Sequence, residues 1–271
     1  MRLFLLVGPT LDDFWLEVLE PLLESREIEI VGACVDRRPP APRLRKLRSE
    51  VRKGRGGYVV VMAANSLLGR HRCRARPAAE YLREHGIDAL ETDDLYSTGT
   101  LSHISARRPD CMFRSGFGLI REPVLSMAPK GVISYHHGDI RRYRGQPVAF
   151  WEIYNGEREL GVTVQVLSPR LDAGKIVVER AVPIRRSDSW RALERRARAA
   201  STSMVLAACL LLADPGFAPT VVPDAQLGVL YTLPTLRQWL TAQRRVLTRR
   251  LHAAIGSCRR VLHRSDSARP V

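Results

Sequence analysis

The stretch GVISYHHGDIRRYRG, residues 131–145, decides how the chain is read. It opens on a β-like apolar run through Val132 and Ile133, then turns polar at His136 and His137. Gly138 and Asp139 follow, and then the basic run Arg141, Arg142, Tyr143, Arg144, Gly145. An apolar run that ends in histidines and a glycine reads as a buried strand emerging into a loop.

The flanking sequence gives that strand a sheet. On its amino-terminal side, RLFLLVG (2–8), IEIVGACV (28–35), YVVVMA (58–63), IDALET (87–92) and CMFRSGFG (111–118) read as strands. Between them, residues 12–25, 77–86 and 94–110 carry helical spacing, 38–57 is a Pro-then-Arg connection, and EPVLSMAP is a short helix. On the carboxyl side, 146–157 reads as an amphipathic helix. The β-rich runs 160–168 and 174–184 follow, joined by the turn-like PRLDAG. A single helix is predicted over 187–214, with Ser187 as its N-cap. This alternation predicts an α/β protein, a Rossmann-like open and mainly parallel sheet with helices on both faces. It fills residues 1–235, and 236–271 form a separate short basic amphipathic helical tail. In such sheets ligands bind outside the carboxyl ends of the strands, which is where His136 and His137 emerge.

Charge is uneven. The 271 residues carry a formal net charge of +15, and two segments hold it: 37–55 and 237–271, each with nine basic residues against one acid. Such patches suit nucleic acid, phosphorylated substrates or anionic surfaces, and equally serve as solvated faces. The five cysteines, Cys34, Cys73, Cys111, Cys209 and Cys258, are scattered, without CxxC spacing. That pattern indicates neither a disulfide framework nor a zinc site and fits a reducing cytoplasm. No apolar run approaches the roughly 20 residues of a membrane span, and MRLFLLVG is too short for a signal peptide.

Taken by themselves, His136 at a strand end and Asp172 in the PRLDAG turn form a candidate acid–base pair. A carboxylate beside an imidazole fixes its tautomer, and the pair can pass protons and stabilise a developing oxyanion. A satisfied structural histidine is the competing reading. His136, His137 and Asp139 are metal-ligand types, but adjacent strand residues point to opposite faces. There is no GxxxxGK[ST] phosphate loop, no GxGxxG opening a helix and no GxSxG elbow.

The segment from Gly131 to Val177 resembles the family of formyltransferases that use 10-formyltetrahydrofolate. Gly131, Ile133, His136, Tyr143, Arg144, Gly145, Pro147, Trp151, Gly156, Gly161, Val162, Thr163, Leu171, Asp172, Gly174 and Ile176 fall on the family pattern, and Asp172 lies 36 positions after His136. The resemblance implies the formyltransferase fold and formyl transfer to a primary amine. It implies catalytic roles for His136, Asp172 and the position of Ser134, where the family has asparagine. That asparagine and the histidine hold the formyl oxygen, while the aspartate orients the histidine. Folate would lie against backbone of Gly118, Leu119 and Ile120 and of the loop from Leu167 to Asp172, Leu167 and Leu171 included. Arg144 and Gly145 would flank the amine entrance. No metal is implied. The departures are Ser134, Gly138, a serine in the family, and Asp139-Ile140-Arg141 where the family has Leu-Leu-Pro.

The family's acceptors include methionyl-tRNA, glycinamide ribonucleotide and amino sugars on nucleotides, and one member hydrolyses formyltetrahydrofolate. The family's tRNA enzyme carries a β-barrel tail domain, for which the 36 residues after Thr235 are too few. A small-molecule amine is therefore the expected acceptor. The alternatives are a tRNA enzyme without the barrel, a hydrolase, a non-catalytic ligand-binding homologue, or nucleic-acid contact through the basic tail.

Overall fold

The computed structural model describes residues 1–38, 51–53 and 75–266, with side chains through Leu251. The predicted strand at 58–63 and most of the 38–57 connection lie outside the described residues.

In chain order the elements are β1 (Arg2–Val7), α1 (Asp13–Glu24), β2 (Glu29–Asp36), α2 (Ala78–Glu84), β3 (Ala89–Thr92), α3 (Thr98–Ala106), β4 (Cys111–Ser115) and β5 (Val132–His136). Then come β6 (Tyr143–Gly145), α4 (Phe150–Asn155), β7 (Glu159–Val166), β8 (Lys175–Pro183), α5 (Trp190–Ser201), α6 (Met204–Ala213), β9 (Val229–Tyr231) and α7 (Leu236–Asp266). Among the described residues, seven strands form one sheet in the order β8-β7-β5-β4-β1-β2-β3. The five from β5 to β3 are mutually parallel, and β7 runs antiparallel to both of its neighbours. The order turns back between β1 and β4, the kind of switch point where open sheets hold ligands.

Strand alternation sorts the core. Leu3, Leu5, Val7, Phe113 and Ile133 face a large cluster with α1, α5 and α6, contributed by Leu19, Leu193 and Val205. Phe4, Leu6, Met112 and Val132 face a smaller one with Ile104 and Leu125. Leu3 to Val7 are fully buried, which is why RLFLLV reads as continuous rather than alternating. Each such side chain contributes about 1.5–3 kcal/mol by leaving water. Counting on from Val132, Ser134 and His136 belong to the face of the smaller cluster. Tyr135, two residues from Ile133, packs with the larger cluster.

Three helical expectations change. The single helix over 187–214 is two helices, α5 and α6, bent by 41° at the Thr202–Ser203 break. Polar side chains cause the interruption: Ser201 Oγ bonds back to the Arg198 carbonyl at 2.9 Å, and the Tyr135 hydroxyl takes the Ser201 carbonyl. The N-cap is Ser189, whose Oγ accepts from Ala192 N at 3.2 Å, rather than Ser187. The predicted 146–157 helix shortens to α4, because Ala149 adopts a left-handed φ of 64° just before it.

The tail helix starts on a capping box. Thr235 Oγ1 accepts from Gln238 N at 3.3 Å while Gln238 Oε1 accepts from Thr235 N at 2.8 Å. Its Ala242 and Val246 are buried, Ala242 with Tyr143, Phe150 and Trp151. Arg245 sits 5.2 Å from the Tyr154 ring, and Arg250 donates to the Ser187 carbonyl at 3.0 Å. Among the described residues no single helix is long and apolar enough to cross a membrane.

Candidate active site

His136 ends β5 and is 8% exposed. Its Nε2 lies 2.7 Å from the Tyr143 carbonyl. A carbonyl only accepts, so Nε2 carries the hydrogen. Nδ1 lies 3.5 Å from Asp172 Oδ1. With Nε2–H occupied, Nδ1 is the atom that can take up a proton, and the carboxylate stands beside it to balance the charge.

Asp172 occupies the tip of the β7–β8 connection with φ of 47°, a left-handed conformation that Asp adopts more readily than most residues. Its Oδ2 accepts from the backbone N–H of Gly145 at 2.9 Å. Gly145 itself has φ of 90°, and a Cβ there would stand 2.0 Å from the Tyr231 carbonyl. The rest of the connection is tied at three points. Leu167 N donates to the Val132 carbonyl at 2.7 Å, Ser168 Oγ to the Ala173 carbonyl at 3.1 Å, and Gly174 N to Gln165 Oε1 at 2.8 Å.

Gly138 explains one departure from the family pattern. A Cβ at this position would lie 2.5 Å from His136 Nε2 and 2.8 Å from the Tyr143 carbonyl. Glycine leaves room for that hydrogen bond. Thr163, opposite His136 in the register, fixes the same turn by donating Oγ1 to the Gly138 carbonyl at 2.9 Å.

Ser134 is 2% exposed, two residues before His136 and on the same face of β5. Opposite it in β4 stands Arg114, whose Nη1 donates to Ser134 Oγ at 3.2 Å and whose Nε donates to the Gly118 carbonyl at 2.9 Å. Desolvation pulls the Arg114 pKa below its ordinary value, opposed by attraction to Asp172. No carboxylate forms an ion pair with Arg114 among the described residues. Both Arg114 and Ser134 line a cavity of about 320 Å³ with Phe14, Trp15, Gly116 and His137.

His137 points to the other face from His136, stacked on Tyr135 at 5.4 Å between ring centroids. Its Nε2 is shielded and has no partner among the described residues. Burial, with Arg198 and His136 nearby, pushes its pKa down to about 3. Asp139 accepts from Arg141 N at 2.9 Å and so closes the turn after the strand. Arg144 is half-buried, its Nε donating to the Gly228 carbonyl at 2.8 Å. Leu119 and Leu171 are 62% and 46% exposed, whereas Ile120 is buried. The backbone N–H groups of Leu119, Ile120 and Leu171 have no protein acceptor among the described residues. Among those residues, no three His, Cys, Asp or Glu side chains are arranged to hold a metal ion.

Thus His136, Asp172 and Gly145 come together, with Gly145 holding the aspartate through its main chain, while Ser134, on the same face of β5, meets Arg114. Arg114, Gly138 and the Tyr143 carbonyl are parts of the site that the spacing argument passes over. A signal for Arg114 is present in CMFRS: a charged residue inside an apolar central strand needs a polar destination at the sheet edge.

An open α/β sheet with a histidine–aspartate pair beyond the carboxyl end of a strand next to its switch point defines a class of proteins with an acid–base site at the sheet edge. The chain belongs to the formyl transferase family, whose sequence profile matches residues 42–209. A methionyl-tRNA formyltransferase of Anaeromyxobacter dehalogenans is 29% identical over 207 residues, 73% of this chain and 65% of that protein. The methionyl-tRNA formyltransferase of Lysinibacillus sphaericus is 33% identical over 153 residues, 55% of this chain and 47% of that protein. The chain thus spans less than two thirds of the length of these curated relatives. The fold is shared with glycinamide ribonucleotide transformylase 1 from Symbiobacterium toebii, with TM-score 0.58 and 20% identity over 85% of this chain and 94% of that one. It is shared also with an N-formyltransferase from Helicobacter canadensis in complex with folinic acid and dTDP-3-aminofucose, with TM-score 0.56 and 12% identity over 91% and 80% of the two chains.

Proposed function

We propose that this chain transfers a formyl group from 10-formyltetrahydrofolate to a primary amine of a small molecule such as an amino sugar. The observation that carries the reading is the His136–Asp172 pair, 3.5 Å apart at the sheet edge and within a matched formyl transferase segment. Nδ1 of His136 is positioned to collect the proton that an attacking amine must lose, with Asp172 offsetting the charge.

The folate would rest between two loops. Open backbone donors at Leu119, Ile120 and Leu171 suit the polar edge of a pterin, and the exposed side chains of Leu119 and Leu171 suit its faces. Gly118 and Leu167 anchor these loops to Arg114 and Val132. The solved N-formyltransferase with folinic acid and an amino sugar nucleotide supports both ligands by fold alone. In this reading 236–271 is a tail distinct from the catalytic unit, and the Arg144 fork faces the acceptor side.

Incubation with 10-formyltetrahydrofolate and a panel of amino sugars should release tetrahydrofolate in an amine-dependent manner. Absence of release with every amine, together with no folate binding in calorimetry, would refute the proposal. Release without an amine would identify a hydrolase instead. A second reading, with methionyl-tRNA as acceptor, draws on the curated relatives and on the cleft lined by Arg244, Arg245 and Arg249 beside Asn155. It predicts that charged tRNA outcompetes every sugar in the same assay.

A further inference from the structure

The site's hydrogen-bond donors are unevenly committed. Both ring nitrogens of His136 face protein groups, the Tyr143 carbonyl and Asp172. The Ser134 hydroxyl accepts from Arg114, and the acceptors within its own reach are the carbonyls of Arg114 and Tyr135, at 3.5 and 3.4 Å. Arg114 is different. Its guanidinium carries five N–H donors in a planar fork. Nε and one Nη1 hydrogen are used, and Nη2 has no acceptor among the described residues. A largely desolvated guanidinium with no ion-paired carboxylate is costly to keep, and it borders the same cavity as Ser134.

We propose that Arg114 supplies the hydrogen bond to the formyl oxygen during transfer, with Ser134 holding the guanidinium in place. This assignment rests on the formyl-transfer reading. The acceptor nitrogen bonds to the formyl carbon, and the carbonyl π pair moves onto oxygen, where the Arg114 fork meets it. When that pair returns, the bond from the formyl carbon to N10 of the folate breaks. The proton lost by the amine, relayed through His136, ends on N10. Arg114 is thereby a catalytic residue, and Ser134 a positioning residue that replaces an amide donor by presenting a cation from the neighbouring strand.

The test uses the full chain with 10-formyltetrahydrofolate carrying ¹³C at the formyl carbon. Bound to the wild type, the formyl C=O infrared stretch should fall below its value in water. In Arg114→Ala it should return toward the water value while the folate still binds. Turnover should fall by about 10²–10³ in kcat with KM for the folate little changed, as for loss of one oxyanion donor. Adding Ser134→Asn to Arg114→Ala should restore part of the lost rate and of the infrared shift, because an amide then reaches the oxygen. Arg114→Met, closer to the wild type in length and without a donor, gives the same comparison should the alanine variant not fold. An unchanged stretch and kcat in a folded Arg114 variant would overturn the assignment and leave formyl transfer standing. No folate binding by the wild type would remove formyl transfer itself, and the assignment with it.

Discussion

Gly145 donates its main-chain N–H to Asp172 Oδ2 at 2.9 Å and thereby aims the other carboxylate oxygen at His136. The basic loop after β5 is thus the mount for the acid of the site. Gly145→Ala should be doubly unfavourable, since its φ of 90° disfavours any side chain and the added Cβ meets the Tyr231 carbonyl. Expected are a drop in Tm and a kcat loss larger than the stability loss explains, measured by melting and by tetrahydrofolate release at saturating folate.

Asp172→Asn keeps the shape and removes the charge opposite Nδ1. A loss of about 10²–10⁴ in kcat is expected, the usual contribution of a positioned acid–base group. Folate affinity by calorimetry should change little, because the proposed pterin contacts in that loop are main-chain atoms.

Gly138→Ala drives a methyl into His136 Nε2 and the Tyr143 carbonyl. The ring must abandon that hydrogen bond, and strain of about 1–3 kcal/mol is expected from overpacking. The check is a crystal structure or the imidazole NMR shifts, which should show a changed ring environment alongside reduced turnover. An unchanged ring environment would contradict the described packing.

Glu152 provides a pH signature outside the site. It is 3% exposed, and burial, aided by the nearby Glu157, raises its pKa from 4.5 to about 7. Between those values the folded protein keeps a proton that the unfolded chain has lost. Stability therefore falls as pH rises from about 4.5 to about 7, by on the order of 3 kcal/mol from this group. Glu152→Gln should remove that descending slope in urea titrations across the window. His137 acts in the opposite sense. With its folded pKa depressed to about 3, it contributes stability above its ordinary pKa of 6.5 that is lost as pH falls toward 3.

Val246 tests the docking of α7. It is 5% exposed and Leu247 is 59% exposed. Val246→Ala should cost about 2 kcal/mol by lost burial, and Leu247→Ala within about 0.5 kcal/mol, as surface changes do. Equal effects would mean that the helix does not pack through its Ala242–Val246 stripe.

Much of the architecture was legible because period and burial agree: Leu3 to Val7 and Cys111 to Phe113 are buried throughout, and the apolar run Val132-Ile133 lies inside β5. The α5–α6 break was not, because Ser201-Thr202-Ser203 keeps helical spacing in its neighbours. What interrupts it is the Ser201 back-bond and the hydroxyl of Tyr135, a residue 66 positions away. At the site, His136 and Asp172 could be paired by spacing and resemblance. Arg114 could not, because its meeting with Ser134 depends on strand order, and strand order is tertiary. The Tyr143 carbonyl and the Gly145 amide were hidden for another reason: every residue has such groups, so no residue type advertises them.

Reliance on main-chain atoms governs how freely this site can vary. The catalytic pair is positioned by peptide atoms of residues 143 and 145, so the side chains of Arg141, Arg142 and Arg144 are largely released from the task of holding it. A saturation scan of residues 139–144 should return tolerance at Arg141, Arg142 and Arg144, with intolerance at the buried Ile140 and Tyr143 and at the flanking Gly138 and Gly145. Sequence drift in this loop can then retune what the entrance admits while the chemistry behind it stays in register.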